Sequence, residues 1–169
     1  MRVSLVLAIF ALLSATPSDS PAQALPRALQ ADRLVVRKAE RTLTLYWHGA
    51  KLKSYRVALG GHPVGAKAMR GDERTPEGLY TVTRRRKATG FHAALEVSYP
   101  NADDLARARA EKVSPGSAIQ IHGLKDGYAW LGSAHVLFDW TDGCIAVTNT
   151  EIDELVRAVP DGTPLEILP

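Results

Sequence analysis

Apolar and polar residues alternate along much of the chain, which is typical of strands with one buried face. The alternation is clearest over Thr42–Trp47 and Lys51–Leu59, and the His48–Ala50 segment between them contains a glycine. Two alternating runs joined by a short glycine-containing turn predict a β-hairpin. Shorter runs of the same kind predict further strands. The first begins near Leu34, and the others lie at Leu79–Thr83, Ala94–Tyr99, Ile119–His122 and Leu165–Leu168.

Two helices are predicted to interrupt these strands. Asn101 is a favourable N-cap residue, acidic residues follow it in the first turn, and Lys112 falls in the last turn. Because this helix has few large apolar residues, we expect it to lie on the surface. Thr150 and Asp153 fit a capping box that opens a second helix, which runs through Ala158. Strands dominate, which indicates a mainly β, mostly antiparallel fold with a few helices.

The N-terminus has the features of a secretory signal peptide. A positively charged residue precedes an apolar run over Val3–Leu13, which is too short to cross a bilayer. The segment Ala22–Ala24 then has the small-x-small pattern of a cleavage site. We therefore predict a cleaved signal peptide over residues 1–24, a short leader over 25–33 and one domain over 34–169. An uncleaved membrane anchor is the alternative.

Composition narrows the class of protein further. Hydrophobic residues make up 46% and charged residues 23% of the 169 residues, as in soluble globular domains. The formal net charge of +3 is too small to indicate binding to nucleic acid, although it could favour anionic envelope polymers. After Ala24 no run is apolar over enough residues to span a membrane, so no transmembrane segment is expected once the signal is removed.

Cys144 is the single cysteine of the chain, and it lies in a polar turn. Exported domains usually pair their cysteines, so a lone one indicates an intermolecular bridge or a reactive thiol, with a small buried hydrophobic residue as the alternative. A thiol attacks as the thiolate and needs a base beside it. Among five histidines, His122 is favoured because it ends an apolar strand and precedes a glycine. The amides of Gly143 and Cys144 would form an oxyanion hole.

Other interpretations of the same residues stay open from the sequence. A histidine such as His122 at a strand end could be purely structural. A zinc site built from Cys144, His122, His135 and an aspartate is conceivable, but the chain has no tight ligand spacing that supports it. The stretch between His122 and Thr141, in which Trp130 and Trp140 bracket His135, could form a lid or wall over the acyl site, although we favour packing roles for both tryptophans.

Several blocks of the chain resemble the L,D-transpeptidase catalytic domain, also called the YkuD domain. Ile121–Gly123 followed by Thr141–Ile145 is similar to that family's His-Gly and Ser/Thr-His-Gly-Cys motifs. Thr75–Gly78 resembles the Thr-Pro-x-Gly block that precedes a core strand. The order and spacing of these blocks match the family, with Leu43–Gly60 similar to its opening hairpin and Leu165–Leu168 similar to its closing strand.

The resemblance implies a β-sandwich or barrel catalytic domain in the periplasm or cell envelope. It implies a cysteine acyltransferase that forms a thioester with a peptidoglycan stem peptide and passes it to an amine, on a second stem or on an envelope protein. If water resolves the thioester, the same site would be an L,D-carboxypeptidase or amidase acting on stem-peptide or wall-protein linkages. A non-catalytic wall-binding module is a third hypothesis. The implied chemistry requires no metal and no cofactor.

The resemblance also implies roles for individual residues. Cys144 would be the nucleophile, and His122 would accept and donate the proton. The backbone carbonyl of Gly123 would orient His122, and the amide of Gly143 would contribute to the oxyanion hole. Thr141, at the hydroxyl position of the motif, would bind substrate.

Two positions depart from the family's pattern. Asp142 replaces the usual histidine before the Gly-Cys pair, and we predict that it points away from the thiol, bonding backbone amides or receiving the acceptor's ammonium. Ala146 stands where members often carry arginine or asparagine, so the substrate carboxylate would be bound by another cation. The candidates are Arg74, Arg70 and the run Arg84–Lys87, although for the run we favour a solvated strand end.

Overall fold

The computed structural model describes residues 24–26, 28–86 and 90–169. The predicted signal peptide, apart from Ala24, therefore lies outside the described residues. The same holds for Lys87 and for the side chains of residues 84–86 in the basic run. In the described part of the chain, no helix is long and apolar enough to cross a membrane.

Strands make up most of the regular structure in the described residues, as the alternating pattern predicts. The helices are α1 (Ala102–Glu111) and α2 (Asn149–Ala158), and Ala129–Leu137 forms two short 3-10 segments separated by a kink at Gly132, which we call together the 3-10 helix. The strands are β1 (Arg33–Arg37), β2 (Thr42–Trp47), β3 (Ala50–Arg56), β4 (Gly78–Arg86), β5 (Ala94–Val97), β6 (Gln120–His122), β7 (Ile145–Ala146) and β8 (Pro164–Leu168).

All eight of these strands belong to one sheet, in the order β3-β2-β1-β8-β4-β5-β6-β7. Neighbours are antiparallel except for β1 with β8 and β6 with β7. The chain that follows β3 reaches the opposite edge of the sheet, where Ala58 bridges Ala146 and Gly60 bridges Thr141. The sheet is therefore curled into a half-barrel whose two ends meet beside Thr141. This arrangement confirms the mainly β fold class.

The first two strands place their alternate residues in one hydrophobic core. Leu34 and Val36 of β1 and Leu43 and Leu45 of β2 are fully buried, because side chains two positions apart share a face of a strand. Burying each such side chain contributes about 2 kcal/mol. The second helix, α2, packs on the same core through Ile152, Leu155 and Ala158.

The predicted hairpin and surface helix are both confirmed. The β3 strand ends at Arg56 rather than Leu59, because the next residues leave β2 to reach the other edge of the sheet. Asn101 caps α1 by accepting a hydrogen bond from the amide of Asp104 at 3.0 Å. The α1 helix buries only Asp104 and Ala108, so the rest of it faces solvent.

The predicted start of α2 is wrong by two residues. The N-cap is Thr148 and its capping-box partner is Glu151, not Thr150 and Asp153. The amide of Glu151 donates to the Thr148 hydroxyl at 3.3 Å, and the Thr148 amide donates to the Glu151 carboxylate at 2.8 Å. The earlier start follows from the short β7, which ends at Ala146 and lets the helix begin at once.

The sequence pattern does not predict the 3-10 helix. A helix of this kind has three residues per turn and lacks the 3.6-residue apolar period. The prediction that both tryptophans pack is wrong for Trp130, which is 78% exposed. Trp140 does pack, with its ring edge-on to His122 at 5.7 Å between centroids.

Candidate active site

The two residues predicted to carry the chemistry lie on neighbouring strands. The β6 strand ends at His122, and β7 begins directly after Cys144. These strands are parallel, with Ile121 opposite Ile145 and His122 opposite Ala146. Since residues two positions apart share a face of a strand, Cys144 and His122 lie on the same side of the pair.

Both side chains line one cleft with a volume of about 550 Å³, which we call the thiol cleft. His122 is almost fully buried and Cys144 is half-buried, so a substrate can reach the thiol from solvent while the imidazole stays enclosed. The other residues that bound the thiol cleft include Phe91, Gln120, Lys125, Trp140, Thr141 and Asp142.

The orientation of His122 is set by its own strand end. Its Nδ1 atom lies 2.7 Å from the backbone carbonyl oxygen of Gly123. A carbonyl only accepts, so Nδ1 carries the proton and Nε2 keeps the lone pair of a base. The Phe91 ring lies over the imidazole at 4.0 Å between centroids. Burial lowers the pKa of His122 below its usual 6.5, and His135 lowers it further, against the raising effect of the Gly123 carbonyl.

The position of Gly123 requires a residue without a side chain. A Cβ there would lie 2.8 Å from the Ile152 side chain and 2.9 Å from Asn149 Oδ1. The same Asn149 oxygen accepts a hydrogen bond from the amide of Leu124 at 2.8 Å. The glycine therefore lets α2 approach closely, and the helix fixes the backbone that orients His122.

The surroundings of Cys144 favour the neutral thiol. Burial raises its pKa above the usual 9.0, the amide of Gln120 opposes that shift, and the charge of Asp142 raises it further. The thiol donates to the carbonyl of Ala118 across 3.7 Å. Since the pKa of His122 is lowered as well, the resting pair is a neutral thiol and a neutral imidazole.

Thr141 holds the turn that presents the thiol. Its hydroxyl donates to the carbonyl of Cys144 at 2.7 Å and accepts from the amide of Gly143 at 3.1 Å. The Thr141 amide in turn donates to the carbonyl of Leu59 at 3.1 Å, which ties the turn to the far edge of the sheet. The Gly143 amide therefore already donates a hydrogen bond to Thr141 in this structure. Its role in the oxyanion hole stays a prediction, and it requires that hydrogen bond to break.

Asp139 anchors the same segment, although the sequence pattern does not single it out. One carboxylate oxygen accepts from the Leu59 amide at 2.9 Å. The other accepts from two nitrogens of Arg41, at 2.8 and 3.1 Å. Hydrogen bonds between charged groups are stronger than those between neutral ones, so Asp139 fixes where the thiol-bearing turn leaves the sheet.

Asp142 and Arg74, the two charged residues that are predicted to contact substrate, lie in different places. Asp142 is exposed and lines the thiol cleft. No backbone amide of the described residues donates a hydrogen bond to its carboxylate, so Asp142 does not hold the turn in place. Arg74 presents its backbone carbonyl to Gly143, while its guanidinium lies beside Gly65 and does not line the thiol cleft. Substrate contacts by Asp142, Arg74 and Thr141 stay predictions.

Several contributors to the site were missed from the sequence. Gln120 and Ala118 act on the thiol through backbone atoms, which carry no signature of residue type. Ala118 has a φ of 62°, a conformation that is strained for a residue with a Cβ and that often marks functional sites. In the described residues no three His, Cys, Asp or Glu side chains converge as a metal site would need, and His135 is buried away from the thiol cleft.

Comparison with known proteins agrees with this geometry. The model of the YkuD family, the L,D-transpeptidase catalytic domain, matches residues 31–167. YafK of Escherichia coli (strain K12), whose name as an L,D-transpeptidase is provisional, is 30% identical over 128 residues, which cover 72% of this chain and 44% of YafK.

Solved structures with the same fold include two from other bacteria. Bdellovibrio bacteriovorus Bd1075 superposes with a TM-score of 0.59 at 25% identity, over 87% of this chain and 51% of that one. The helical cell shape determining protein Pgp2 from Campylobacter jejuni has a TM-score of 0.63 at 23% identity, over 83% of this chain and 48% of that one. The chain thus spans about half the length of these relatives. The family match, over most of the sequence, shows that this chain belongs to the L,D-transpeptidase catalytic-domain family.

Proposed function

We propose that this protein is a peptidoglycan-modifying cysteine acyltransferase of the L,D-transpeptidase type. The observation that carries the proposal is the position of Cys144 and His122 on one side of the β6–β7 pair, in the same cleft. Family membership supports stem peptides of peptidoglycan as the substrates. The predicted signal peptide supports export to the periplasm or cell envelope.

The first half of the reaction forms the thioester. His122 Nε2 takes the proton of the Cys144 thiol as the sulfur attacks the stem-peptide carbonyl, and a C–S bond forms. The leaving amine then receives that proton from His122 as its C–N bond breaks. Because both resting groups are neutral, the proton moves during the attack and a preformed ion pair is not needed.

The second half of the reaction resolves the thioester with an amine. The amine loses a proton to His122, attacks the thioester carbonyl and releases the sulfur, which recovers a proton as the thiol. The oxyanion in both halves would be stabilised by the Cys144 amide and, if Thr141 releases it, the Gly143 amide. Such donors typically contribute about 10²–10³ in rate.

Hydrolysis by the same site is the second candidate function. The observation that favours it is the exposed carboxylate of Asp142 at the edge of the thiol cleft, where the family usually has histidine. A changed contact with the acceptor amine could let water resolve the thioester instead. The protein would then trim stem peptides or detach a protein from the wall.

One experiment separates these activities. Purified mature protein is incubated with disaccharide-tetrapeptide, and the products are resolved by mass. Cross-linked dimers support the acyltransferase, and shortened monomers without dimers support the hydrolase. Intact substrate, with no thioester mass on the protein, contradicts both.

Thiol labelling tests the remaining hypothesis of a non-catalytic wall-binding module. If Cys144 is a nucleophile assisted by His122, its alkylation rate near neutral pH should change in His122→Ala. A Cys144 no more reactive than free cysteine, and unaffected by that substitution, would favour the binding module.

A further inference from the structure

Residues 128–138, which contain the 3-10 helix, expose large apolar side chains to solvent. Four of the nine large apolar side chains that are exposed among the described residues lie in this segment. Trp130 and Leu137 are 78% and 81% exposed, and Tyr128 and Phe138 are exposed by half or more. Single exposed apolar residues are ordinary, but a cluster of them marks a surface that binds a partner. We call these four residues the apolar patch.

The apolar patch continues into the protein as a pocket. The pocket has a volume of about 180 Å³ and lies between Tyr128 and Phe138. The residues that complete its lining are Leu124, Lys125, Leu131, His135 and Trp140. In the 3-10 helix only His135 is buried, so this helix places most of its side chains toward solvent and not toward the core.

The arginines of β4 lie at the same end of the sheet as the apolar patch. In one row across the sheet, Arg86 of β4 is opposite Ala94 of β5, and Ala94 is opposite His122 of β6. The chain leaves β6 at His122 and runs from there to the apolar patch. The end of β4 that carries Arg84, Arg85 and Arg86 is therefore the end from which the patch segment departs.

Cations outnumber anions in these strands and in the loop that carries the apolar patch. The cations of β4, β5, β6 and residues 123–138 are the three arginines and Lys125, which is exposed. The anions of the same segments are Glu96 and Asp126. The chemically matched partner is therefore a surface that is apolar in its interior and anionic on its face.

We propose that the apolar patch docks this protein on an anionic lipid surface. The three aromatic rings and Leu137 enter the boundary between headgroups and acyl chains, where tryptophan and tyrosine are enriched in membrane proteins. The cations at the same end of the sheet attract the lipid phosphate groups. An apolar anchor and a cluster of cations together bind lipid more stably than either does alone. The predicted export brings the chain to a compartment bounded by membranes.

Docking in this way sets the thiol cleft beside the lipid surface. Lys125 and Trp140 line both the thiol cleft and the pocket of the apolar patch, so the two spaces share a wall. The proposed reaction at Cys144 does not require the apolar patch, which instead decides where in the envelope the cleft works. Wall material close to a membrane is then the material within its reach.

Two other partners could cover an aromatic surface, and each fits the charges less well. The sugar rings of a glycan strand are uncharged and leave the cations without a role. A second copy of this chain in a symmetric pair would bring two cationic ends together, which opposes association. An anionic lipid surface uses both the apolar residues and the cations.

Vesicle sedimentation tests the proposal with the mature protein, because the apolar run of the signal peptide would itself bind lipid. Vesicles of phosphatidylcholine with about a quarter phosphatidylglycerol are compared with vesicles of phosphatidylcholine alone. The variants are Trp130→Ser, Leu137→Ser and, as the matched control, Trp47→Ser. Trp47 is also exposed, but it ends β2 on the side away from Arg41, which contacts Asp139 next to the apolar patch.

We expect the unmodified protein to sediment with the anionic vesicles, and to bind less to neutral vesicles and at high salt. Trp130→Ser and Leu137→Ser should each weaken the binding about tenfold, because each withdraws a large apolar side chain from the lipid. Trp47→Ser should bind as the unmodified protein does. Absence of binding, equal binding to both kinds of vesicle, or an equal loss in Trp47→Ser would overturn the proposal.

Two further measurements identify the other partners. Binding to purified wall sacculi that is lost in Trp130→Ser, with vesicle binding unchanged, would assign the apolar patch to glycan and overturn the proposal. A dimer in light scattering that Trp130→Ser dissociates, without binding to vesicles, would assign it to a second copy of the chain. All of these measurements are made without substrate, so their outcome does not depend on the proposed acyltransferase activity.

Discussion

The hydroxyl of Thr141 accepts a hydrogen bond from the amide of Gly143 at 3.1 Å and donates one to the carbonyl of Cys144 at 2.7 Å. One side chain therefore closes the turn on both sides of the thiol. The contact also occupies the amide to which the family motif assigns an oxyanion role. Thr141 thus positions the Cys144 thiol, the proposed nucleophile, in this structure.

Removing this hydroxyl should slow thioester formation. Thr141→Val keeps the shape of the side chain but loses both bonds, so the thiol would no longer be held in one geometry. We expect a fall of about 10²-fold in the rate, the usual size for small misplacements of a reacting group. Intact-mass measurement of the thioester over time gives the rate. Thr141→Ser retains the hydroxyl and should stay close to the unmodified rate, and an equal loss in both variants would contradict the role.

Gly143→Ala should abolish thioester formation, because a Cβ there would lie 2.5 Å from the carbonyl oxygen of Arg74. Gly143 also has a φ of 121°, which disfavours any other residue. Gly49→Ala is the matched control, since Gly49 has a φ of 80° but no atom within 4 Å of the added Cβ. The control should cost about 1 kcal/mol of stability and no activity. Comparable activity in both variants would show that the close approach at Gly143 is unimportant.

The rate of thioester formation should fall in acid. His122 must be unprotonated to accept the thiol proton, and burial holds its pKa below 6.5. The active form is therefore fully present above that pKa, and activity is lost as the pH falls through the lowered value. The measurement is kcat/KM against pH with the tetrapeptide donor. A midpoint above 6.5, or an identical profile in a His122→Ala variant with residual activity, would count against His122 as the base.

Asp142→Asn should make the thiol more reactive. The charge of Asp142 contributes to the raised pKa of Cys144, so its removal should lower that pKa and increase the thiolate fraction near neutral pH. We expect alkylation by iodoacetamide to accelerate about two- to fivefold. The same variant should lose preference for amine acceptors over water. An unchanged acyl-transfer rate and acceptor preference would contradict a role for Asp142 in receiving the ammonium.

Local pattern was sufficient to predict much of the fold. The strand alternation in Thr42–Trp47 and the cap at Asn101 depend on neighbouring residues, and both occur as predicted. The α2 start was misjudged because Thr148 and Thr150 each have an acidic residue three positions later. Only the end of β7 at Ala146 decides between them. The 3-10 helix over Ala129–Leu137 has no sequence period to detect.

The candidate site, like the fold, could be predicted from the sequence only in part. The sequence predicts Cys144 and His122 as a pair from residue type and order, and the structure places both side chains in the thiol cleft, while their catalytic roles stay predictions. Arg70 and Arg74 stand in the same loop before Thr75, and nothing in the sequence shows which guanidinium reaches the thiol cleft or its surroundings. The fold places Arg70 on a pocket beside the thiol cleft and the guanidinium of Arg74 beside Gly65.

The sequence by itself determined the mainly β class, the surface helix and which cysteine and histidine are the candidates for thiol chemistry, because each follows from residue type and short-range order. The tertiary structure decided which backbone amides and carbonyls surround the thiol, that Asp139 anchors its turn, and that the Leu25 amide meets Glu154. These contacts join segments that are far apart in the chain. The contact between Leu59 and Asp139 exists only once the sheet has curled and brought its two edges together beside Thr141.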